Sequence, residues 1–230
     1  MTLVTDVLEE QMGKTASHPN LVSRSIAQTL LLSCGILASV LFTATYLIEG
    51  TLHPGYDLMR QTISSLELVS NGWTQQVNFI VFALLIGCFA VGIRKELAGG
   101  FGATVFPILQ GLVALGLVIS GIFVYEPLHT IGDYIAFLSI VIGFFVIARR
   151  FAQEPDWGMG WAVYSIASAI LAMGFLAAFG TALGHGGDAG LFERLAGLVR
   201  SVWSLFFVGR LLTGARLSPQ SQASGAFQQS

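Results

Sequence analysis

Three of the four histidines in this 230-residue chain are each followed by an aspartate three or four residues later: His53 and Asp57, His129 and Asp133, His185 and Asp188. Histidine beside carboxylate can work as acid and base near neutral pH. The same pair of side chains can ligate zinc, with three protein ligands and an open position in catalytic sites. The candidate metal set is therefore His53, His129, Asp133 and His185, and zinc is the metal such donors would take. The candidate catalytic set is His53, Asp57, Ser64 and His129, with Ser64 a nucleophile only if a histidine folds against it. Arg60, Arg194 and Arg200 are the candidate anion-binding residues, and Glu67, Asp133 and Glu193 complete the polar set. Two histidines at one membrane face could also hold a haem axially, but neither His53 nor His129 lies well inside an apolar stretch. A plainer reading stands beside all of these. Aspartate is a favoured helix N-cap, so Asp57, Asp133 and Asp188 also read as caps and the histidines as ordinary hydrogen-bonding residues.

The elements that must position these residues are read from composition. Hydrophobic residues make up 54% of the chain and charged residues 10%, against roughly a quarter charged in a soluble domain. Six apolar stretches follow one another: Ile26–Ile48, Val77–Ile93, Ala103–Tyr125, Tyr134–Phe151, Met159–Leu183 and Leu191–Leu212. Most are near the ~20 residues that cross a hydrocarbon core. The fold class is all-α, an integral membrane bundle of six transmembrane helices. Residues 1–24 form an N-terminal tail, 25–214 the membrane domain and 215–230 a disordered tail rich in Ser and Gln. The first stretch exceeds the ~7–15 residues of a signal-peptide core and should stay as an anchor. Cys34 and Cys88 fall inside apolar stretches and read as packing residues rather than a disulfide.

Eight of the eleven Lys and Arg residues (Lys14, Arg24, Arg94, Lys95, Arg149, Arg150, Arg210 and Arg216) fall on alternate connections, and the other set holds Arg60 and Arg194. Basic loops stay on the cytoplasmic side. The expectation is a multi-pass protein of the cell membrane with both termini cytoplasmic and the histidine-bearing connections outside. The net charge of −2 and the lack of a basic run give no sign of nucleic-acid binding. The lipid bilayer is the expected partner, a lipid head group the expected ligand class, and protein partners are not specified.

Two features stand out against this frame. Residues 50–75 form a long outer connection with helical period, Met59, Ile63 and Leu66 on one side and Asp57, Arg60, Ser64 and Glu67 on the other. This predicts a helix lying on the membrane surface. Arg200 lies ~14 Å along the sixth stretch, where an ionisable group should face the bundle or a wet cavity. Gln110 is its candidate polar neighbour, and Glu193, Gly197, Arg200 and Ser204 share its helix face. Gly111, Gly116 and Gly121, and separately Gly180 and Gly184, are spaced for close helix approach.

His53-Pro54-Gly55-Tyr56-Asp57 with Ile63-Ser64-Ser65-Leu66 resembles the first outer loop of the membrane proteins catalogued as domain of unknown function 998. His129-Thr130 is similar to that family's second outer motif, and Gly190-Leu191-Phe192-Glu193-Arg194 with Trp203 to its last-span pattern. Ser65 stands where that pattern has an acidic residue. The likeness covers roughly residues 26–212 and implies a six-span prokaryotic membrane protein, with no activity attached.

No Walker A loop, dinucleotide glycine motif, HExxH or GxSxG occurs. Three readings stay open. The first is a metal-dependent hydrolase or transferase acting on lipid at the outer face, loosely like the alkaline ceramidase group but without its seven spans. The second is a non-catalytic scaffold or assembly factor. The third is a small transporter using Arg200. The reading favoured here is a polar His/Asp/Arg site at the outer face that binds or processes a lipid or lipid-derived anionic group.

Overall fold

The computed structural model describes residues 24–97 and 99–214; the tails expected at 1–24 and 215–230 lie outside these, apart from Arg24. The described residues form six long helices: α1 (Ile26–Leu52), α2 (Trp73–Glu96), α3 (Val105–Ile122), α4 (Leu128–Phe151), α5 (Gly158–His185) and α6 (Ala189–Leu212). All six are long and apolar enough to cross a membrane. Five of the expected stretches lie on one of them, the third, Ala103–Tyr125, overruns α3 at both ends, and the short second and fourth gain polar or aromatic residues at their ends.

Local chemistry sets several boundaries. Ser25 caps α1 by accepting from the Gln28 N–H at 3.1 Å, as an N-cap hydroxyl does. Gly186, at φ 71°, ends α5 in the left-handed conformation, and the Gly187 N–H turns back to the Ala182 carbonyl at 2.9 Å. That is the usual glycine stop.

Consecutive helices pack side by side, and α6 returns to α1, so the bundle closes into a ring. Gly116 and Gly132 let α3 and α4 approach until a Cβ on either would strike the other's backbone, and a Cβ on Gly121 would strike the Phe79 side chain of α2. Gly111, Gly180 and Gly184 face open space, so their expected packing role is not met. Cys34 is half-buried and Cys88 exposed, both as free thiols.

The ring has two unlike halves. Around Trp203 and Phe207 of α6, aromatic rings from other helices fill the interior: Phe144 at 5.2 Å and Phe151 at 5.6 Å from α4, Phe106 from α3 and Phe89 from α2. The Trp203 N–H donates to the Ser165 hydroxyl at 3.0 Å, which removes the penalty of burying it. At this end Arg24 pairs with Glu96 at 2.7 Å and joins the start of α1 to the end of α2. Arg150 and Glu154 form a second, fully enclosed pair at 2.5 Å. The other half lies under the connection 53–72 and holds buried Glu67, His129, Glu193, Arg194 and Arg200.

The expected surface helix in that connection does not form. Its one regular piece is a 3-10 turn over Ser64–Leu68. Ile63 and Leu66 are buried as the pattern implied, but so is Glu67, placed on the polar face by the same pattern, while Met59 is exposed. The physical reason is that α6 takes the backbone groups a helix would use internally.

Candidate functional site

The start of α6 holds the connection by its backbone. The Leu191 and Gly190 N–H groups, left free by the helix geometry, donate to the carbonyls of Met59 at 2.8 Å and Arg60 at 3.3 Å. Arg194 Nη1 donates to the Leu58 and Gln61 carbonyls at 2.7 and 2.9 Å. Its Nη2 donates to the Tyr56 hydroxyl at 2.7 Å, which donates on to the Thr62 carbonyl at 2.6 Å. Glu193 accepts the Ile63 N–H at 2.6 Å. Gly190 is required where the chains touch, since a Cβ would meet the Gln61 carbonyl and the Arg194 guanidinium. The Tyr56 phenol is pushed up by burial and so stays able to donate. Asp57 caps the first turn, accepting from the Met59 N–H at 2.8 Å, and sits 4.0 Å from exposed Arg60.

Beneath the connection, one of the three His/Asp pairs closes. His129 Nε2 lies 3.5 Å from Asp133 Oδ2. His129 Nδ1 lies 3.1 Å from each of the Ser120 and Phe123 carbonyls. Carbonyls only accept, so Nδ1 is a donor, and Nε2 faces the Asp133 carboxyl. The Ser120 hydroxyl donates to Asp133 at 2.8 Å and holds it in place. On the far side of the ring, Glu67 Oε2 stands 3.6 Å from Nδ1. Glu67 is pushed up from its ordinary value to about 8, by burial first and then by the nearby Asp133 carboxylate. Near neutral pH it is a carboxylic acid rather than a carboxylate.

A cavity of about 60 Å³ opens beside this row. Phe42, Tyr46, Phe79, Phe82 and Phe137 supply its aromatic walls, Ile63 belongs to its roof, and Asp133, Glu193 and Arg200 are its charged lining. The Arg200 guanidinium lies 5.1 Å from the Phe82 ring centre, and its Nη1 has no hydrogen-bond partner. A smaller cavity of about 10 Å³, also lined by Arg200, includes Gln110, the neighbour expected from sequence.

Other expected roles change. Among the described residues no group of three or more His, Cys, Asp or Glu could hold a metal ion. The expected set His53, His129, Asp133 and His185 is therefore not brought together among the described residues. His53 ends α1. His185 is tied to the Thr181 carbonyl at 2.8 Å on the surface. Among the described residues, the His129 pair is the one of the three that comes within ion-pair reach. Ser64 is 3.1 Å from the Thr62 hydroxyl, with no histidine against it. Asp133 lies within α4, which Pro127 precedes at the cap position, so it is not a cap. Asp188 does hold the cap position of α6, without a side-chain bond. Arg194 is committed to the connection rather than open to an anion. Ser120 is not marked by the sequence, and Tyr56 appears there only as a member of the His53–Asp57 motif, with no role of its own. A lone serine in an apolar span and a tyrosine in a loop carry no spacing signal toward partners nine and 138 residues away.

A ring of six helices, each long and apolar enough to cross a membrane, defines a multi-pass membrane protein. The family described as protein of unknown function (DUF998) matches residues 36–209, and the chain belongs to it. No curated protein and no solved structure matches.

Proposed function

We propose that this protein binds a lipid-derived amphiphile in the cavity beneath residues 53–72, at the outer face of the cell membrane, with both termini in the cytoplasm. The observation that carries the reading is the cavity itself. Five aromatic rings suit one end of an apolar chain, the cavity of about 60 Å³ being well below the ~300 Å³ of a site that encloses a ligand, and the partnerless Arg200 Nη1 offers a buried donor to a ligand oxygen. A buried donor without a partner is costly, and a carbonyl, hydroxyl or phosphate oxygen would relieve that cost. Arg200, rather than Arg60 or Arg194, is then the residue that meets the polar group. Processing of the ligand would draw on Asp133, the charged residue shared by the cavity and the His129 pair.

The test is lipid extraction and mass spectrometry of protein purified in mild detergent. Wild type should carry about one equivalent of a defined amphiphile, and a folded Arg200→Met variant should retain at least ~10-fold less, a loss of about 1.4 kcal/mol. Equal lipid in both would defeat the reading. Transport is the second reading, favoured by Arg200 lining both cavities. It requires uptake of the extracted amphiphile into proteoliposomes to depend on Arg200 and Gln110.

A further inference from the structure

Three titratable groups stand in series between the connection and the cavity. Glu67 comes from the connection, His129 from the start of α4, and Asp133 from one turn further on. The gaps are 3.6 Å from Glu67 Oε2 to Nδ1 and 3.5 Å from Nε2 to Asp133 Oδ2, a few tenths of an ångström from hydrogen bonds. Glu67 and His129 are each 6% exposed. Neither Glu67 oxygen has a hydrogen-bond partner, and nor does Nε2. Structural polar groups in a core are normally satisfied, so a buried acid aimed at an imidazole with nothing else to bond needs another explanation. One end of the row, Asp133, lines the cavity. The other belongs to a connection whose Asp57, Met59 and Arg60 are exposed. Ionisable groups in series inside a membrane bundle are suited to moving protons.

We propose that Glu67, His129 and Asp133 form a proton-transfer row between the cavity and the connection 53–72. The step balances on these residues alone. Once Glu67 has lost its proton toward the connection, a proton on Asp133 Oδ2 passes to the Nε2 lone pair, and the imidazolium releases its Nδ1 proton to the vacated Glu67 Oε2. Asp133 is left ionised, Glu67 protonated and the ring neutral with its proton on Nε2; the reverse sequence resets it. No electron moves and no further reactant is needed.

The charged surroundings allow this. The 3-10 turn that carries Glu67 packs on α1 and α2. At this end α2 brings only neutral Gln75 and Asn78 to the interior, and α1 carries Glu49, half-buried near its last turn. Asp133 also faces Ser120 and the charge of Glu126, and across to α6 it acts on Glu193, beside Arg194. Arg200 shares its cavity.

This goes beyond ligand binding, and its test uses protons alone. Full-length protein in nanodiscs is followed by infrared difference spectroscopy between roughly pH 6 and pH 10. Wild type should show a carboxylic-acid carbonyl band that disappears as pH rises, Glu67→Gln should lack it, and His129→Gln should move its midpoint by at least about one unit. If His129→Gln does not fold, Ser120→Ala, which releases Asp133, should move the midpoint instead. A wild type without the band, a band that survives in Glu67→Gln, or a midpoint unmoved in the folded His129 or Ser120 variant overturns the row. Loss of the Arg200 dependence of lipid retention would leave this result intact, so the two readings fail separately.

Discussion

Glu67 shows how far a single residue's surroundings can reverse its expected role. Its place on a polar stripe predicted a carboxylate in water; packing puts it in a dry site facing His129. The consequence for stability has a definite sign. Its ordinary value is 4.5 and its folded value about 8. Between these the folded state holds the proton that the unfolded state has lost, so stability from this group declines as pH rises through that window. Glutamine cannot ionise and keeps the shape. Glu67→Gln is therefore expected to melt above wild type at about pH 9, with the gap closing by about pH 5. Thermal melts in detergent at the two pH values check this, and a gap independent of pH would contradict it. Arg200 carries the matching lesson for cations. Its depth in the span was readable from sequence, whereas its neighbour Phe82 was not.

At the scale of elements, the connection 53–72 is shaped by α6 more than by its own propensity. Its apolar period was real, as buried Ile63 and Leu66 testify. A helix would have bonded the Leu58, Met59, Arg60 and Gln61 carbonyls internally, but the start of α6 and Arg194 take all four. The two resembling motifs, His53–Asp57 and Gly190–Arg194, thereby acquire one shared physical meaning as the two sides of this clasp. Lysine offers a point charge where Arg194 offers a fork. Arg194→Lys should cost about 2 kcal/mol and speed proteolysis between residues 53 and 72. Melting and limited proteolysis read both effects. If neither changes, Glu193 and the α6 N–H groups hold the connection unaided.

For the whole molecule, the basic residues gather at the end that carries the aromatic plug, where Arg94, Lys95, Arg149 and Arg210 lie. This distribution is what supports the proposal, by the charge rule, that this end faces the cytoplasm and the clasp and cavity face outward. In a background with Cys34 and Cys88 replaced by serine, Arg60→Cys should react with an impermeant maleimide on intact cells, and Lys95→Cys only after permeabilisation. The opposite pattern would invert the topology and move the cavity to the cytoplasmic side. The sequence by itself determined the solvent, the number of spans, their order and the family. Each of these depends on runs of apolar residues and on local charge, which are properties of neighbours along the chain. Only the tertiary structure decided that one His/Asp pair closes and two do not, that Arg194 is a clasp, that Glu67 is buried and that no metal set forms among the described residues. Those outcomes depend on which helices meet across the ring, and at what height. Contacts separated by 9 to 138 residues leave no periodic mark on a single sequence.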